Sequence, residues 1–343
     1  MNETWMIEPL ALFNAITHPS VNYLLPAGEG AYDAMTNDFM IMDNVPYKRP
    51  IIDITPLYNI MQRRDKSCEI IYKQIGTTGL REIETAEVYS ATKNCRQEFY
   101  TGALRDFRSK DYDTFASKII PFFLQSVRID MGTNCWFGDS SRPDTGFSYS
   151  ITKYDGIVKW LSHYTTLGTI PAAQTVTPAA IDYYQEANWQ AAYELLLALV
   201  ANQSIIFRNV PNAMKVIYCD TSVLYGYKKY LQTIGTETET MVSQIANGIS
   251  VSAIDSIEIV PVPIWEPVIF NLNGNAGFNH LVILTIRKNF IFATDKNYGE
   301  GPDGKTAFEV FYYQYQNELI ARMYLKGGTQ IALPEFIVWG KSW

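Results

Sequence analysis

The chain has 343 residues, a formal net charge of −7, 47% hydrophobic residues and 18% charged residues. This length fits two lobes or one elaborate domain, and the hydrophobic content excludes a disordered chain. The acidic balance argues against a protein whose main task is to grip phosphates, and 4 cysteines without CxxC spacing argue against a zinc framework.

The composition is poor in charge and rich in aromatic residues. Charged residues fall below the usual share of about 25%, and there are 23 Tyr and 7 Trp. Interfaces between proteins favour Tyr, Trp and Phe and are depleted in Lys, Glu and Asp. Two alternatives follow: a chain whose neighbours cover much of its surface, or an ordinary Tyr-rich domain.

The sequence contains no targeting or membrane segment that we recognise. Glu3 and Glu8 interrupt the apolar residues at the N-terminus, which also lacks a basic region. The most apolar run, residues 191–201, contains Glu194 and is shorter than the roughly 20 residues that a span needs. We therefore expect a protein made in a cytoplasm, with no membrane partner.

Residues 1–50 are predicted to form an extended arm, because helices and strands both stop at prolines and glycines. The alternative is an irregular, well-packed N-terminal cap. The punctuating prolines are Pro9, Pro19, Pro26, Pro46 and Pro50.

The next segment predicts a long β-hairpin. Apolar and polar residues alternate over Cys68–Lys73 and again over Arg81–Tyr89, and the glycines of Gly76–Gly79 allow a tight turn between them. With polar residues on much of both faces, the hairpin is expected to project and to pack on another subunit, since a lone hairpin is marginal. The alternatives are an ordinary edge hairpin and a solvated charged face. The charges in question are Glu69, Lys73, Arg81, Glu82, Glu84 and Glu87.

Residues 97–131 predict helix. A short amphipathic piece precedes a longer helix that starts at Asp111 or Asp113, is kinked or restarted at Pro121, and ends at Met131–Gly132. After it come the segment Cys135–Asp139 and a polar loop. Asp155 is then expected to cap the next helix.

The remaining chain alternates helices with strands and then becomes mostly β. A helix is predicted from Pro178, a buried strand over Ala213–Cys219, and a helix capped by Asp220 that ends near Gly235. Gly327–Gly328 and the loop 295–304 are predicted turns. Further strands are predicted at Ile257–Val262, Leu281–Ile286, Phe290–Ala293, Ala307–Tyr315, Glu318–Leu325 and Phe336–Trp339.

We find no motif that carries chemistry, so no catalytic, cofactor-binding or metal residue is predicted. The P-loop, the dinucleotide fingerprint, the GxSxG elbow and HExxH are absent, and basic residues form no stripe for nucleic acid. Asp295–Asp303 offers oxygen ligands, but Gly299 and Glu300 stand in the wrong places for a calcium loop, so a solvated turn is preferred. Cys219 with His163 is interpreted as an unrelated thiol and imidazole, and Asp139 as a turn or capping residue.

The order of parts resembles the major capsid proteins of tailed bacteriophages, which have the Hong Kong 97-type shell fold. Trp136–Asp139 followed by Asp155–Ile157 looks like that family's passage from a strand of the P-domain to the first helix of the A-domain. Val216–Leu231 is similar to the central strand and helix of the A-domain. Leu325–Ala332 looks like a late pair of P-domain strands.

The resemblance implies an α+β fold with a spine helix and β-sheet in the P-domain and an inserted α/β A-domain. The implied division is 1–50 N-terminal arm, 51–96 E-loop hairpin region, 97–154 first part of the P-domain with the spine helix, 155–265 A-domain, and 266–343 second part of the P-domain.

The function implied is a major capsid protein, not an enzyme, without cofactors. It would self-assemble into hexamers and pentamers of an icosahedral virion shell around double-stranded phage DNA, in the cytoplasm of a bacterial host. Scaffold, portal and decoration proteins are the implied partners, and an arm that begins near Met1 implies either a separate scaffold or a matured chain. The alternatives are an encapsulin-like compartment and a soluble α/β enzyme. The candidate subunit-contact residues are Trp5, Glu69, Lys73, Arg81, Glu82, Glu84 and Glu87.

Overall fold

The computed structural model describes residues 5–6, 39–56, 76–95, 112–143, 151–234, 245–246, 249–250, 252–274, 277–295, 308–313 and 318–343. The helices in these ranges are α1 Tyr112–Phe137, α2 Ile157–Thr166, α3 Trp189–Ala201, α4 Ile205–Arg208, α5 Thr221–Thr233 and α6 Trp265–Leu272. The strands are β1 Trp5–Met6, β2 Met40–Met42, β3 Lys48–Pro56, β4 Gly76–Glu84, β5 Ala86–Cys95, β6 Lys215–Cys219, β7 Ile245–Ala246, β8 Ile249–Ser250, β9 Ser252–Ile254, β10 Ile257–Pro261, β11 Leu281–Ile286, β12 Phe290–Ala293, β13 Phe308–Tyr313, β14 Glu318–Ile331 and β15 Ile337–Lys341.

A five-stranded sheet in the order β15-β11-β6-β10-β9 organises the larger core. Its middle strand β6 is parallel to β10 and antiparallel to β11. Side chains of β6 alternate between two hydrophobic clusters, with Val216 and Tyr218 in one and Ile217 and Cys219 in the other. Because both faces are covered, the strand is a continuous apolar run rather than an alternating one.

Helices cover this central sheet on both sides. Leu196 of α3 and Leu224 of α5 share a cluster with Ile217, whereas Trp136 of α1 and Leu161 of α2 lie in the cluster on the other face. Each helix buries one apolar stripe against the sheet, which is the usual layered solution for a mixed domain.

A second sheet has the order β1-β13-β14-β12-β2, with β5 also paired to β14. The long strand β14 joins its parts. Met323 of β14 pairs with Phe308 on β13, and Gly328 pairs with Ala293 on β12. The described helices include none that is both long and apolar enough to cross a membrane.

The hairpin forms with a different pairing from the predicted one. β4 pairs antiparallel with β3, from Lys48 opposite Glu84 to Pro56 opposite Gly76, so Gly76–Gly79 is the start of a strand and not a turn. β5 leaves the hairpin and pairs with β14. The prediction was wrong because alternation shows that a segment is a strand, but it does not show which strand lies beside it.

The long helix runs past its predicted end. α1 continues through Pro121 and through Gly132 to Phe137, so Trp136 lies in its last turn and not in a loop or after a strand. Glycine inside a helix costs about 1 kcal/mol relative to alanine. Burial of Trp136 and Cys135, both fully buried, offsets that cost.

The pair Gly327–Gly328 is also not a turn, because both residues lie inside β14. A Cβ on Gly328 would lie 2.0 Å from the carbonyl oxygen of Glu84, and a Cβ on Gly327 would lie 2.8 Å from the ring of Tyr154. These glycines therefore permit close approach of the hairpin and of Tyr154 to β14.

Other predicted elements are confirmed or shifted. The strands Leu281–Ile286 and Phe290–Ala293 are observed as predicted. The helix expected from Pro178 begins at Trp189, after a turn held by Asp182. The Asp182 carboxylate accepts from the Tyr184 amide at 2.9 Å, a local bond that competes with helix.

Two glycines allow the chain to pass from α1 to α2. Gly156 donates its amide to the carbonyl of Gly138 at 2.8 Å, and the amide of Gly138 donates to Asn134 at 2.9 Å. A Cβ on Gly156 would lie 2.5 Å from the Gly138 nitrogen and 2.6 Å from the Asn134 oxygen. Because these neighbours are backbone atoms, they have little freedom to move aside.

We expect Gly156→Ala to lower the free energy of unfolding by about 1–3 kcal/mol, the usual cost of overpacking. Urea denaturation measures this loss. The control is Thr166→Ala at an exposed position of α2, for which a change within about 0.5 kcal/mol is expected. Equal stability of Gly156→Ala and the wild type would contradict the tight passage.

Candidate subunit-contact surfaces

The base of the hairpin is fastened to the rest of the subunit. Ile51 of β3 and Ile83 of β4 are buried in a small cluster with Ile291 of β12. Gln330 also donates to the backbone carbonyl of Glu82 at 3.0 Å. In the part of the chain that the structure describes, β3 and β4 otherwise form a two-stranded sheet of their own, which is marginal without a partner.

The exposed charges of the hairpin form weak ion pairs with one another. Lys48 lies 3.0 Å from a carboxylate oxygen of Glu82 and 3.7 Å from one of Glu84. The hydrogen bond and the charge of Glu82 raise the pKa of Lys48. Solvent-exposed pairs of this kind contribute little to stability, so they are free to exchange partners with another chain.

Glu87 and Arg81 differ in how firmly the subunit holds them. Glu87 is exposed and lies 3.4 Å from the buried ammonium of Lys326, which also donates to the carbonyl of Pro46 at 2.8 Å. Arg81 is partly buried, donates to the carbonyl of Ala332 and lies 4.0 Å from Glu335. The geometry therefore gives Arg81 a role within the chain, as a tie between β4 and the segment after β14.

The other predicted contact residues are only partly described. Trp5 lies in β1 and pairs with Val310 of β13 at the edge of the second sheet. Glu69 and Lys73 lie outside the described residues, and Asp295 is the one described residue of the predicted oxygen-rich loop.

The turn after α1 carries a cluster of charges around Lys159. Its ammonium lies 2.7 Å from Asp139 and 2.8 Å from Asp155. Asp139 also accepts from the amide of Ser141 at 3.1 Å, which confirms it as a turn residue. Burial acts to raise the pKa of Asp139, but the hydrogen bonds from Lys159 and Ser141 outweigh it and bring the pKa to about 2. A carboxylate that stays ionised at neutral pH has no proton to give as a general acid.

The prediction that Asp155 caps α2 is wrong. The residue at the N-cap is Gly156, and the Asp155 carboxylate instead accepts from the amide of Ser140 at 2.9 Å. Lys159, one turn further along α2, attracts the carboxylate to the same place. Asp155 thus links the turn after α1 to the first turn of α2.

A buried polar cluster stands at the carboxyl end of β6. His280 Nδ1 lies 2.5 Å from Asp220 Oδ2, and His280 Nε2 lies 2.7 Å from the carbonyl oxygen of Ile181. A carboxylate and a carbonyl oxygen both accept hydrogen bonds, so this geometry favours the protonated imidazole, in which both ring nitrogens donate. Burial lowers the pKa of His280, but the hydrogen bond and charge of Asp220 outweigh it, so the pKa is raised.

This cluster does not have the geometry of a nucleophilic triad. Ser222 Oγ lies 3.3 Å from the same His280 Nδ1 that faces Asp220, and Nε2 is occupied by Ile181. No ring nitrogen is left to remove a proton from the serine. Asp220, predicted as a capping side chain, makes no capping hydrogen bond to α5 and binds His280 instead.

Cys219 and His163 are not placed to work together. Burial holds the pKa of the Cys219 thiol well above its usual range, and the side chain packs in the cluster beneath α3 and α5. His163 is exposed on α2, which covers the opposite face of the sheet. Within the described ranges, no group of three His, Cys, Asp or Glu side chains is arranged to hold a metal ion.

The cavity beside the His280 cluster opens to the surface at the same end of β6. Its volume is about 370 Å³, and Asp220, Glu266 and His280 line it. The aromatic side chains at its mouth are exposed: Tyr184, Phe270 and Phe278.

Known proteins resemble this chain in structure and not in sequence. No protein-family model matches it. No curated protein matches it by sequence. The solved structure of the satellite phage P4 procapsid with its size determination protein matches with a TM-score of 0.54 at 13% identity, covering 99% of this chain and 93% of that one. The capsid of Myoviridae phage XM1 matches with a TM-score of 0.54 at 8% identity, covering 94% and 92%.

An encapsulin has the same fold. The SrpI encapsulin complex from Synechococcus elongatus PCC 7942 matches with a TM-score of 0.50 at 8% identity, over 92% of this chain and 88% of that one. All three matches extend over nearly the full length of both chains, so the likeness concerns the whole α+β architecture and not one shared module. The chain has the fold of tailed-phage major capsid proteins, the Hong Kong 97-type shell fold.

Proposed function

We propose that the chain is a major capsid protein that self-assembles into hexamers and pentamers of an icosahedral shell around double-stranded phage DNA. The observation that carries this proposal is the agreement with two phage capsid structures over more than nine tenths of the chain. Scaffold, portal and decoration proteins are the further partners we propose. The place of action is the virion, after assembly in the cytoplasm of a bacterial host.

The chemistry of the chain suits a container better than a DNA-binding protein. Its net charge is −7, so it has no excess of cations with which to neutralise phosphates. A shell needs many weak contacts between copies, and repeated contacts add up when each copy engages several neighbours. The low charge and high Tyr and Trp content support such covered surfaces.

We propose the division of the chain that the resemblance implies, with one addition. The hairpin strands belong to the E-loop region 51–96 apart from the first residues of β3, and α1 is the spine helix of 97–154. The A-domain of 155–265 shares its sheet with two strands of 266–343, since β11 and β15 complete the order around β6. The arm is 1–50.

The hairpin is proposed to lie over a neighbouring subunit and to contact it through Glu82 and Glu84, with Glu87 at the start of β5 as a further contact residue. These carboxylates are exposed, and their partners in the described residues are Lys48 and Lys326. Charged groups in such a contact set its register and its choice of partner more than they add affinity. Glu69, Lys73 and Trp5 remain proposed contact residues.

A second candidate function is an encapsulin-like compartment, which the likeness to the SrpI complex favours. Purified particles distinguish the two after treatment with nuclease. The capsid proposal expects protected double-stranded DNA inside particles from infected cells. A co-purified cargo protein without DNA would favour the compartment.

Shortening the hairpin tests the capsid proposal. Residues 54–78 are removed, and Asp53 is joined to Gly79, its partner in the ladder, by an Asn-Gly turn. The anchored base with Ile51 and Ile83 is kept. We expect the subunit to fold but to form no closed shells, because the proposed contact with the neighbour needs residues 54–78 in addition to the carboxylates that the shortened chain keeps. Electron microscopy and sedimentation measure the assembled fraction.

The matched control keeps the hairpin length and replaces Thr77 and Thr78 by serine. This variant should assemble like the wild type. Normal shells from the shortened chain would refute the role of the hairpin, and a wild-type chain that stays monomeric under all assembly conditions would refute the capsid function itself.

A further inference from the structure

We propose that the two ends of β6 form the two halves of a head-to-tail contact between copies of this chain. The cavity beside His280 in one copy would receive the knob of the next copy, which we define as Ile205, Ile206, Arg208 and Met214. The inference rests on the proposed function, and it names the surfaces that would join neighbouring subunits in a capsomer.

The cavity is an acidic pocket with an aromatic rim. Asp220 and Glu266 supply two carboxylates against the one imidazolium of His280. In the described structure, Asp220 Oδ1 is buried and has no hydrogen-bond partner. Burial and the charge of Asp220 raise the pKa of Glu266, a sign that this pocket is short of positive charge.

The rim of the cavity favours a flat cation or an apolar group. Phe278 is 53% exposed and Phe270 is 48% exposed, and both line the mouth of the cavity, where a grouped apolar surface is typical of an interaction site. Tyr184 donates to Glu266 at 3.2 Å and stacks at a tilt on Tyr225, so its ring is held in place. A guanidinium can stack on the aromatic rings of such a site and can form ion pairs with its carboxylates.

The knob has the complementary properties. Ile205 is 79% exposed and Met214 is 56% exposed, so an apolar surface faces outward and no described part of the subunit covers it. The Arg208 guanidinium beside them is exposed and donates to the backbone carbonyl of Ala201. Among the described residues, no carboxylate lies within ion-pair distance of Arg208.

The knob is held rigidly, which favours binding because little freedom is lost on contact. Phe207 is fully buried directly beneath it and packs against Phe336 at 5.9 Å between ring centroids. The hydroxyl of Ser204 accepts from the amide of Phe207 at 3.2 Å and caps α4. Met214 accepts from the amide of Arg287 at 2.9 Å.

The knob and the cavity stand at opposite ends of the same strand. Met214 immediately precedes β6, and Asp220 immediately follows it. A strand of this length spans roughly 13 Å. Different surfaces at opposite ends make a heterologous contact, and copies joined in that way form a ring when the rotation between them closes. A hexamer or a pentamer is a ring of this kind.

Charge reversal tests the contact. Arg208→Glu brings a carboxylate to the acidic cavity, and we expect it to reduce the yield of closed shells by about tenfold or more, because like charges oppose association. The second change, Glu266→Lys in the same chain, should restore the yield to within about threefold of the wild type, since it recreates an opposite pair. Sedimentation and particle counts by electron microscopy measure the yield at equal protein concentration.

A second pair of variants guards against misfolding. Ile205→Asp lies on the exposed knob and should also reduce the yield, whereas Leu167→Asp, at a residue that is 62% exposed and outside the knob and the cavity, should not. The thermal midpoint of each monomer is measured alongside. Wild-type yields from both Arg208→Glu and Ile205→Asp would overturn the contact and leave the capsid function standing. An equal loss from Leu167→Asp would also overturn it. If the wild type itself never assembles, the proposed function fails instead.

Discussion

Replacing Trp136 by alanine is expected to lower the free energy of unfolding by about 3–5 kcal/mol, the cost of deleting a large buried aromatic side chain. Trp136 is fully buried at the end of α1. Its ring lies 5.0 Å from Trp265, 5.5 Å from Tyr218 and 5.1 Å from Phe39. One side chain thus joins α1 to α6, to β6 and to the segment before β2, so its removal weakens all these contacts together.

Urea denaturation of Trp136→Ala, Trp136→Phe and Trp160→Ala tests this role. In the described structure, Trp136 Nε1 is buried without a hydrogen-bond partner, so phenylalanine loses no such bond, leaves a smaller cavity and should cost less than alanine. Trp160 is partly exposed on α2, and its removal should cost less than that of Trp136. A loss below about 1 kcal/mol for Trp136→Ala would contradict its place at the centre of the core.

Replacing His280 by leucine is expected to lower the free energy of unfolding by about 3–5 kcal/mol, because it leaves the Asp220 carboxylate buried without its counter-ion. His280 is 2% exposed and Asp220 is fully buried although both line the open cavity, so water replaces the lost charged partner only in part. The double variant Asp220→Asn/His280→Leu should recover much of the loss, since no buried charge remains. Chemical denaturation of the two variants and the wild type measures the difference.

The same pair predicts a dependence of stability on pH. The pKa of His280 is raised in the folded chain, so the folded state holds the proton more tightly than the unfolded state does. The stabilisation is complete below the unfolded pKa of about 6.5 and is lost as the pH rises through the raised value. The wild type should therefore lose stability above about pH 6.5 relative to the double variant.

Neighbouring groups titrate in other ranges. Burial and the charge of Asp220 raise the pKa of Tyr183 to about 12, so this phenol loses its proton only in strongly alkaline solution. Glu266 has a raised pKa but starts from an acidic value, and it is present in both proteins compared. Parallel stability curves for the wild type and the double variant between about pH 6 and pH 9 would contradict a protonated His280.

The elements that could be predicted were those whose residues determine them locally. The runs Leu281–Ile286 and Phe290–Ala293 are apolar and β-branched or aromatic over a strand length, and both form the predicted strands. The strand before Asp220 and the helix after it were predicted correctly. A continuous apolar run precedes Asp220, and apolar residues with a 3.6-residue period follow it. The overall order of parts was enough to indicate the shell fold.

Partners in space could not be predicted in this way. Local sequence identified the strands around Gly76–Gly79, but the pairing of β4 with β3 depends on the burial of Ile51 and Ile83 against β12. The pair Gly327–Gly328 resembles a turn locally. Both residues lie in a continuous strand, and their lack of side chains leaves room for Glu84 and Tyr154 to pack against it. The helix α1 continues past Gly132 because burial of the residues beyond it stabilises the helix by more free energy than the glycine costs.

Low charge, many aromatic residues, the absence of a motif for chemistry and the order of parts were enough to indicate a shell fold from the sequence. Which side chains meet depends instead on how the distant parts of the chain pack. Asp220 and His280 are separated by 60 residues along the chain, and α4 and the cavity lie at opposite ends of β6. Side-chain pairing of this kind depends on long-range packing, because the free energy of a buried ion pair or an exposed apolar knob is set by its surroundings and not by its neighbours in sequence.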